Sequence, residues 1–251
     1  MQADERHDWL INRRKMLALL GVTGVNMVSG YSSASAGATG GGEIGRETLA
    51  CIVTPAQTEG PYFVDERLHR SDVRSDPSDG SLKEGLPLAL EIRVFAVGSA
   101  GCVPLPEAIV DIWQCDAHGV YSDVMDPAFQ TRGKKFLRGY QVTDGNGVVR
   151  FLTIYPGSYP GRTVHIHFKI RTKGKYRWAH EFTSQFYFDD TITDHVHAQP
   201  PYAPGKSRLP RTRNEQDGIF RAGGDQLVLT LAETKQGYLA TFDVGLEGVS
   251  T

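Results

Sequence analysis

The segment YPGRTVHIHFKI, Tyr159 to Ile170, sets two histidines one residue apart inside an alternating apolar run. Side chains of a strand alternate between its faces, so Val164, Ile166, Phe168 and Ile170 share one face while His165, His167, Lys169 and Arg171 share the other. The apolar set belongs to the core. The two imidazoles then stand one pleat repeat apart on the more polar face, near enough for both to ligate a single ion. A plain pair of surface histidines has the same spacing, so the pattern alone leaves both readings open.

The remaining donors decide which ion a pair of imidazoles would take among zinc, copper, nickel and iron. No glutamate follows His167 at a useful spacing, because FKIRTKG comes next. Tyrosines are nearby instead: Tyr155 and Tyr159 on the turn before the pair, and Tyr121 in CDAHGVYSD after another strand-like run. A phenolate is a hard anionic oxygen donor, and two of them stabilise a trivalent ion such as Fe(III) better than a divalent one. A second His-x-His, His195 and His197 in DHVHA, stands beside Asp189, Asp190 and Asp194. The prolines that follow predict a loop there, not a rigid rival site. His118 and His180 read as surface or satisfied polar positions.

These residues need a scaffold, and the chain supplies strand-length runs separated by turns. Leu88 to Val97, Ala108 to Cys115, Val148 to Tyr155, Thr163 to Arg171, Glu181 to Asp189, Gln226 to Leu231 and Tyr238 to Val244 are rich in β-branched and aromatic residues. DGNG and PGSYPG between them are turn signals. No long stretch carries a helical period. The pattern predicts an all-β antiparallel sandwich or barrel from about residue 46 to the end, with no repeat and no second domain.

The 251 residues are 40% hydrophobic and 22% charged with net charge -2, enough chain for a real core and no global charge that would seek nucleic acid. The basic stretch KSRLPRTRN is short and broken by proline, which suits a solvated loop. Residues 1–45 read differently. Paired Arg13 and Arg14, a moderately apolar stretch from Met16 to about Val28 and an Ala-x-Ala-like site at Ala34 to Ala36 predict a twin-arginine-type export signal and flexible linker. The apolar stretch is too short for a stable membrane span, and the expected destination is periplasmic or extracellular. TLAC at Cys51 lies too far from that stretch to be a lipoprotein site. Three cysteines allow one disulfide, for which Cys102 and Cys115 flanking a short turn are the expected pair.

Four separated stretches, TPAQTEGPYF, VDIWQCDAHGVYSD, FLRGYQVTDGNGVVRFLTIYPGSYPGRTVHIHFKI and FTSQFYFDD, together resemble the intradiol ring-cleavage dioxygenases, from about Cys51 to about Asp190. The likeness is to the exported bacterial branch, without room for the helical dimerisation domain of catechol dioxygenases. It implies an immunoglobulin-like antiparallel β-sandwich core with long loops. It also implies non-haem Fe(III) held by Tyr121, Tyr159, His165 and His167, with Tyr159 the ligand that leaves when substrate arrives. Arg162 would stabilise charge developing on the substrate ring, Gln185 would lie close to substrate, and Tyr62 would lie near the pocket mouth. Ser158 stands where related sequences often carry tryptophan, which implies a wider or differently shaped pocket. The implied substrates are a small aromatic diol and O2, the product a muconate-type diacid, and the oligomeric state stays open. The same resemblance assigns no iron to Tyr140 or Tyr155. Two other classes fit a sandwich of this size: a non-catalytic exported binding module, and a divalent-metal hydrolase using His165 and His167.

Overall fold

The computed structural model describes residues 52–99, 101–126, 129–173, 178–202 and 210–249. The expected signal and linker, residues 1–45, and Cys51 lie outside them. The strands in chain order are β1 (Pro87–Gly98), β2 (Gly101–Pro104), β3 (Ile109–Trp113), β4 (Met125–Asp126), β5 (Phe129–Gln130), β6 (Arg138–Val142), β7 (Val148–Ile154), β8 (His165–Lys173), β9 (Trp178–Tyr187), β10 (Leu231–Thr234) and β11 (Gly237–Glu247). One sheet runs β10-β11-β1-β2 with β7 also on β1, a second runs β6-β3-β8-β9, and β4 pairs with β5. The all-β sandwich expected from the turn-punctuated runs is the fold. It is not wholly antiparallel, because β1 and β11 pair in parallel from Leu88↔Tyr238 to Val97↔Glu247.

Alternation builds the core between the sheets. Leu88, Leu90, Ile92 and Val94 of β1 meet Val110 and Ile112 of β3 and Ile166, Phe168 and Ile170 of β8, all buried in one cluster. Phe186 of β9 stacks on Phe168 at 4.1 Å and reaches Phe242 of β11 at 5.0 Å, which joins the two layers.

The other face of β8 is buried too, which alternation alone did not predict. Residues 54–70 lace across it: Gln57 N–H donates to Thr183 O at the β9 edge, and Arg70 N–H donates to Tyr140 O at the β6 edge. Charge follows the strap. Lys169 pairs with Glu59 and lies 4.2 Å over the Phe63 ring, while Arg171 pairs with Asp65 at 3.1 Å and Asp111 at 2.8 Å. Burial pushes the Asp111 carboxyl up to about 6 against the pull of Arg171.

Three expectations are corrected. The segment read as a loop is helix α1 (Asp190–His197), capped by Asp189, whose side chain accepts from Thr191 N and Ile192 N. The prolines end this helix and do not prevent it, since they begin at Pro200, beyond the C-cap Ala198. Its His197 Nε2 meets Pro156 O at 2.9 Å and its ring stacks on Tyr202, so His195 and His197 do not form a paired site. The run Gln226 to Leu231 is mostly not strand, because Gly224–Leu227 closes a 3-10 turn and β10 begins only at Leu231. Finally, Cys102 is disulfide-bonded but not to Cys115, which is a free buried thiol packed beside Trp113 and Tyr121.

Candidate metal centre

The register of the second sheet places Trp113 of β3, His167 of β8 and Gln185 of β9 in one row, with His165 opposite Tyr187 in the next. Trp113 lies flat on the His167 ring at 4.8 Å and 6°. Gly60, at φ 70, passes so close that a Cβ there would touch His167 Cε1 at 3.5 Å, so the strap seals this side. His165 and His167 are only 2% and 1% exposed.

Two loops bring the tyrosines to the same point. After β3 the Asp116 side chain accepts from His118 N and Val120 N, a turn that delivers Tyr121. The loop before β8 carries Ser158 and Tyr159 and lies against that turn where both backbones are bare: a Cβ on Gly157 would sit 2.5 Å from the carbonyl oxygens of Asp116 and Ala117. Buried Arg138 fastens the Tyr121 side, donating from Nε to Ser122 Oγ at 2.7 Å and from Nη1 to Tyr62 O at 3.3 Å. Tyr62 stacks on Tyr121 at 4.5 Å and lies edge-on to Tyr159 at 6.4 Å, its hydroxyl donating to Asp126 Oδ2. Burial and this carboxylate push the Tyr62 hydroxyl up to about 12.

Four donor atoms therefore converge. His165 Nε2 is 3.3 Å from Tyr121 Oη, 3.1 Å from Tyr159 Oη and 3.0 Å from His167 Nε2. Thr163 O, 2.6 Å from His165 Nδ1, takes the proton on that side and leaves Nε2 as a lone pair. One lone pair cannot satisfy three neighbours, and the buried His167 Nδ1 has no hydrogen-bond partner. A cation at the convergence point would give each of the four atoms a partner. Burial, with the Arg162 charge nearby, holds His165 neutral down to about 3 and His167 well below its ordinary value, while burial raises both phenols against the opposing pull of Arg162. A trivalent cation reverses the preference of the phenols, and loss of their two protons leaves a net charge that suits such an ion. Among the described residues no group of three or more His, Cys, Asp or Glu is arranged to hold a metal. The oxygen donors of this cluster are phenolic.

Tyr121 is sealed, whereas Tyr159, Ser158, Tyr62 and Arg162 are half-buried, so access is from their side. Arg162 reaches across it: Nη2 donates to Gln185 Oε1 at 2.6 Å and Nε to Asp217 Oδ2 at 2.8 Å. Tyr121, Tyr159, His165 and His167 converge, Tyr62 packs on the two phenols, Arg162 and Gln185 are bonded to each other beside them, and Ser158 is half-buried next to Tyr159 in sequence. Arg138 and Asp217 were missed: Arg138 lies within the stretch FLRGYQ but was given no role there, and no motif marks Asp217. Burial alone would raise the Asp217 carboxyl, but the Thr163 N–H and Arg162 hold it below the usual carboxylate range. Two cavities, of about 520 and about 480 Å³, lie away from the cluster, beside His195 and Tyr238 and beside Phe95 and Phe242.

Comparison with known proteins points to one family. The family model described as dioxygenase matches residues 58–248. An intradiol ring-cleavage dioxygenase from Tetranychus urticae is 31% identical, with TM-score 0.67 over 80% of this chain and 96% of that one. The dioxygenase domain of a dioxygenase carbohydrate-binding protein fusion from Streptomyces sp. SirexAA-E is 29% identical, with TM-score 0.55 over 78% of this chain and 99% of that one. The protocatechuate 3,4-dioxygenase beta chain of Burkholderia cepacia is 33% identical over 55% of this chain, and the match spans 60% of that relative's length. With the family model matching residues 58–248 and the two-sheet fold shared with the Tetranychus urticae enzyme at 31% identity, the chain belongs to the intradiol ring-cleavage dioxygenase family.

Proposed function

We propose that the protein is a non-haem Fe(III) dioxygenase that opens the ring of a catechol-type diol between its two hydroxylated carbons with O2, giving a muconate-type diacid. The observation that carries the reading is the convergence of two imidazole nitrogens and two phenol oxygens beside a clamped arginine. Tyr121, Tyr159, His165 and His167 are the residues that would hold the ion. Bound there, ferric iron would supply Lewis acidity toward the substrate's oxygens.

The chain's own residues then divide the work. Tyr159, half-buried on the open side, would be the displaceable one of the four donors, and its Oη would take up a proton from a substrate hydroxyl. Arg162 keeps its charge at any working pH and faces negative charge that develops on the ring, while Gln185 holds the guanidinium in that direction. Tyr62 and Ser158 line the approach. The strap over His167 and the Trp113 ring exclude water from the imidazole side, which strengthens the electrostatics inside.

The same proposal extends to residues 1–45 as an export signal that delivers the enzyme outside the cytoplasm. No helix among the described residues is long and apolar enough to cross a membrane. A panel of catechol, hydroxyquinol and protocatechuate, read by product absorbance and O2 uptake on the iron-loaded protein, tests the activity. Stoichiometric O2 consumption with diacid formation on at least one diol is expected, and no uptake on any of them overturns the proposal.

A further inference from the structure

We infer that Asp217 is the positioning residue that sets the direction in which Arg162 faces the four-donor cluster, an inference that rests on the function proposed above. The Asp217 carboxylate is 1% exposed and every bond it makes points at this task or at its own anchorage. Oδ2 accepts both Arg162 Nε at 2.8 Å and Thr163 N at 2.9 Å. Oδ1 accepts Ile219 N at 2.7 Å and Phe220 N at 3.3 Å, which pins the carboxylate to its own turn. With Nη2 donating to Gln185 Oε1, the guanidinium is gripped on two of its nitrogens by groups from different elements. Gln185 is in turn held by its amide, which donates to Thr58 O.

A planar guanidinium held at two corners keeps one plane and one direction, so its rotamer freedom is lost before substrate arrives. Asp217 also grips the backbone of Thr163, whose carbonyl fixes His165 Nδ1. The turn does not depend on this carboxylate alone. Asn214 is fastened to Thr163 Oγ1 at 2.6 Å and to Phe188 O at 2.9 Å.

A double-mutant cycle on the iron-loaded enzyme separates positioning from mere stitching. Asp217→Asn is expected to lower kcat on the best diol about ten- to a hundred-fold, with KM changed less than about three-fold and the ferric visible band retained. In an Arg162→Gln background the same substitution is expected to cost less than about two-fold, because the group it positions is gone. Asp217→Glu, which keeps the charge, is expected to fall between wild type and Asp217→Asn, and it carries the same cycle if the asparagine variant does not fold. Equal losses in both backgrounds, or a loss accounted for by missing iron, overturn the inference alone. Wild-type enzyme that is iron-loaded yet inactive on every diol overturns the functional reading, and this inference with it.

Discussion

Gly157→Ala forces apart the two loops that carry the phenols, and the consequence can be worked from the distances. The new methyl would lie 2.5 Å from the carbonyl oxygens of Asp116 and Ala117, where about 3.4 Å is ordinary contact, so the loops must part by about 1 Å. Overpacking of this kind costs about 1–3 kcal/mol. The Gly157 N–H bond to Asp116 O, 3.1 Å long, is lost or stretched, which adds about 1 kcal/mol. Stability should fall by about 2–4 kcal/mol in urea titration of the metal-free protein. Because the displaced loops present Tyr121 and Tyr159, a 1 Å misfit should also cost about a hundred-fold in turnover of whatever enzyme remains folded. Gly145→Ala is the control. A Cβ there meets nothing within 4 Å, and the expected change is within about 0.5 kcal/mol. A Gly157→Ala protein with control-like stability and full turnover would refute the reasoning that close backbone approach builds the centre.

Tyr159→Phe removes the half-buried phenol while the three sealed donors stay, so the protein should keep much of its iron, show an altered visible band and bind substrate more slowly; complete iron loss contradicts a displaceable ligand. Asp111, pushed up to about 6, binds its proton more tightly folded than unfolded. Its contribution therefore weakens as pH rises from about 4 to about 6, by up to about 3 kcal/mol. Urea titrations at the two pH values should show that slope in wild type and lose it in Asp111→Asn, and an unchanged slope counts against the buried charge. Replacing Arg13 and Arg14 by lysines should hold the protein in the cytoplasm of a host with twin-arginine export, as read by fractionation.

The parts that were legible in sequence are those written in one strand or one turn. The alternation around His165 and His167 gave their shared face, and GVYSD and PGSYPG marked the loops that bring Tyr121 and Tyr159. What escaped depends on distant partners. Asp217 lies 55 residues from the arginine it grips, and Arg138, though inside the stretch FLRGYQ, acts on Ser122 and Tyr62, which lie far from it in sequence. The polar face of β8 looked solvent-facing because Lys169 and Arg171 carry charge, yet Glu59 and Asp65 on the strap neutralise them under cover. Helix α1 is only eight residues long and rich in β-branched types, so its period is too short to register, and its cap is the clearer signal. The disulfide was misassigned because proximity in sequence across a turn says nothing about which thiols point at each other.

Ferric titration of the metal-free protein, followed in the visible range and then with catechol added, tests the central claim most directly. A red-brown phenolate-to-iron band that saturates at one iron per chain and shifts when catechol binds is the predicted result. A protein that takes up one ferric ion and stays colourless would contradict the phenolic centre on which the account stands.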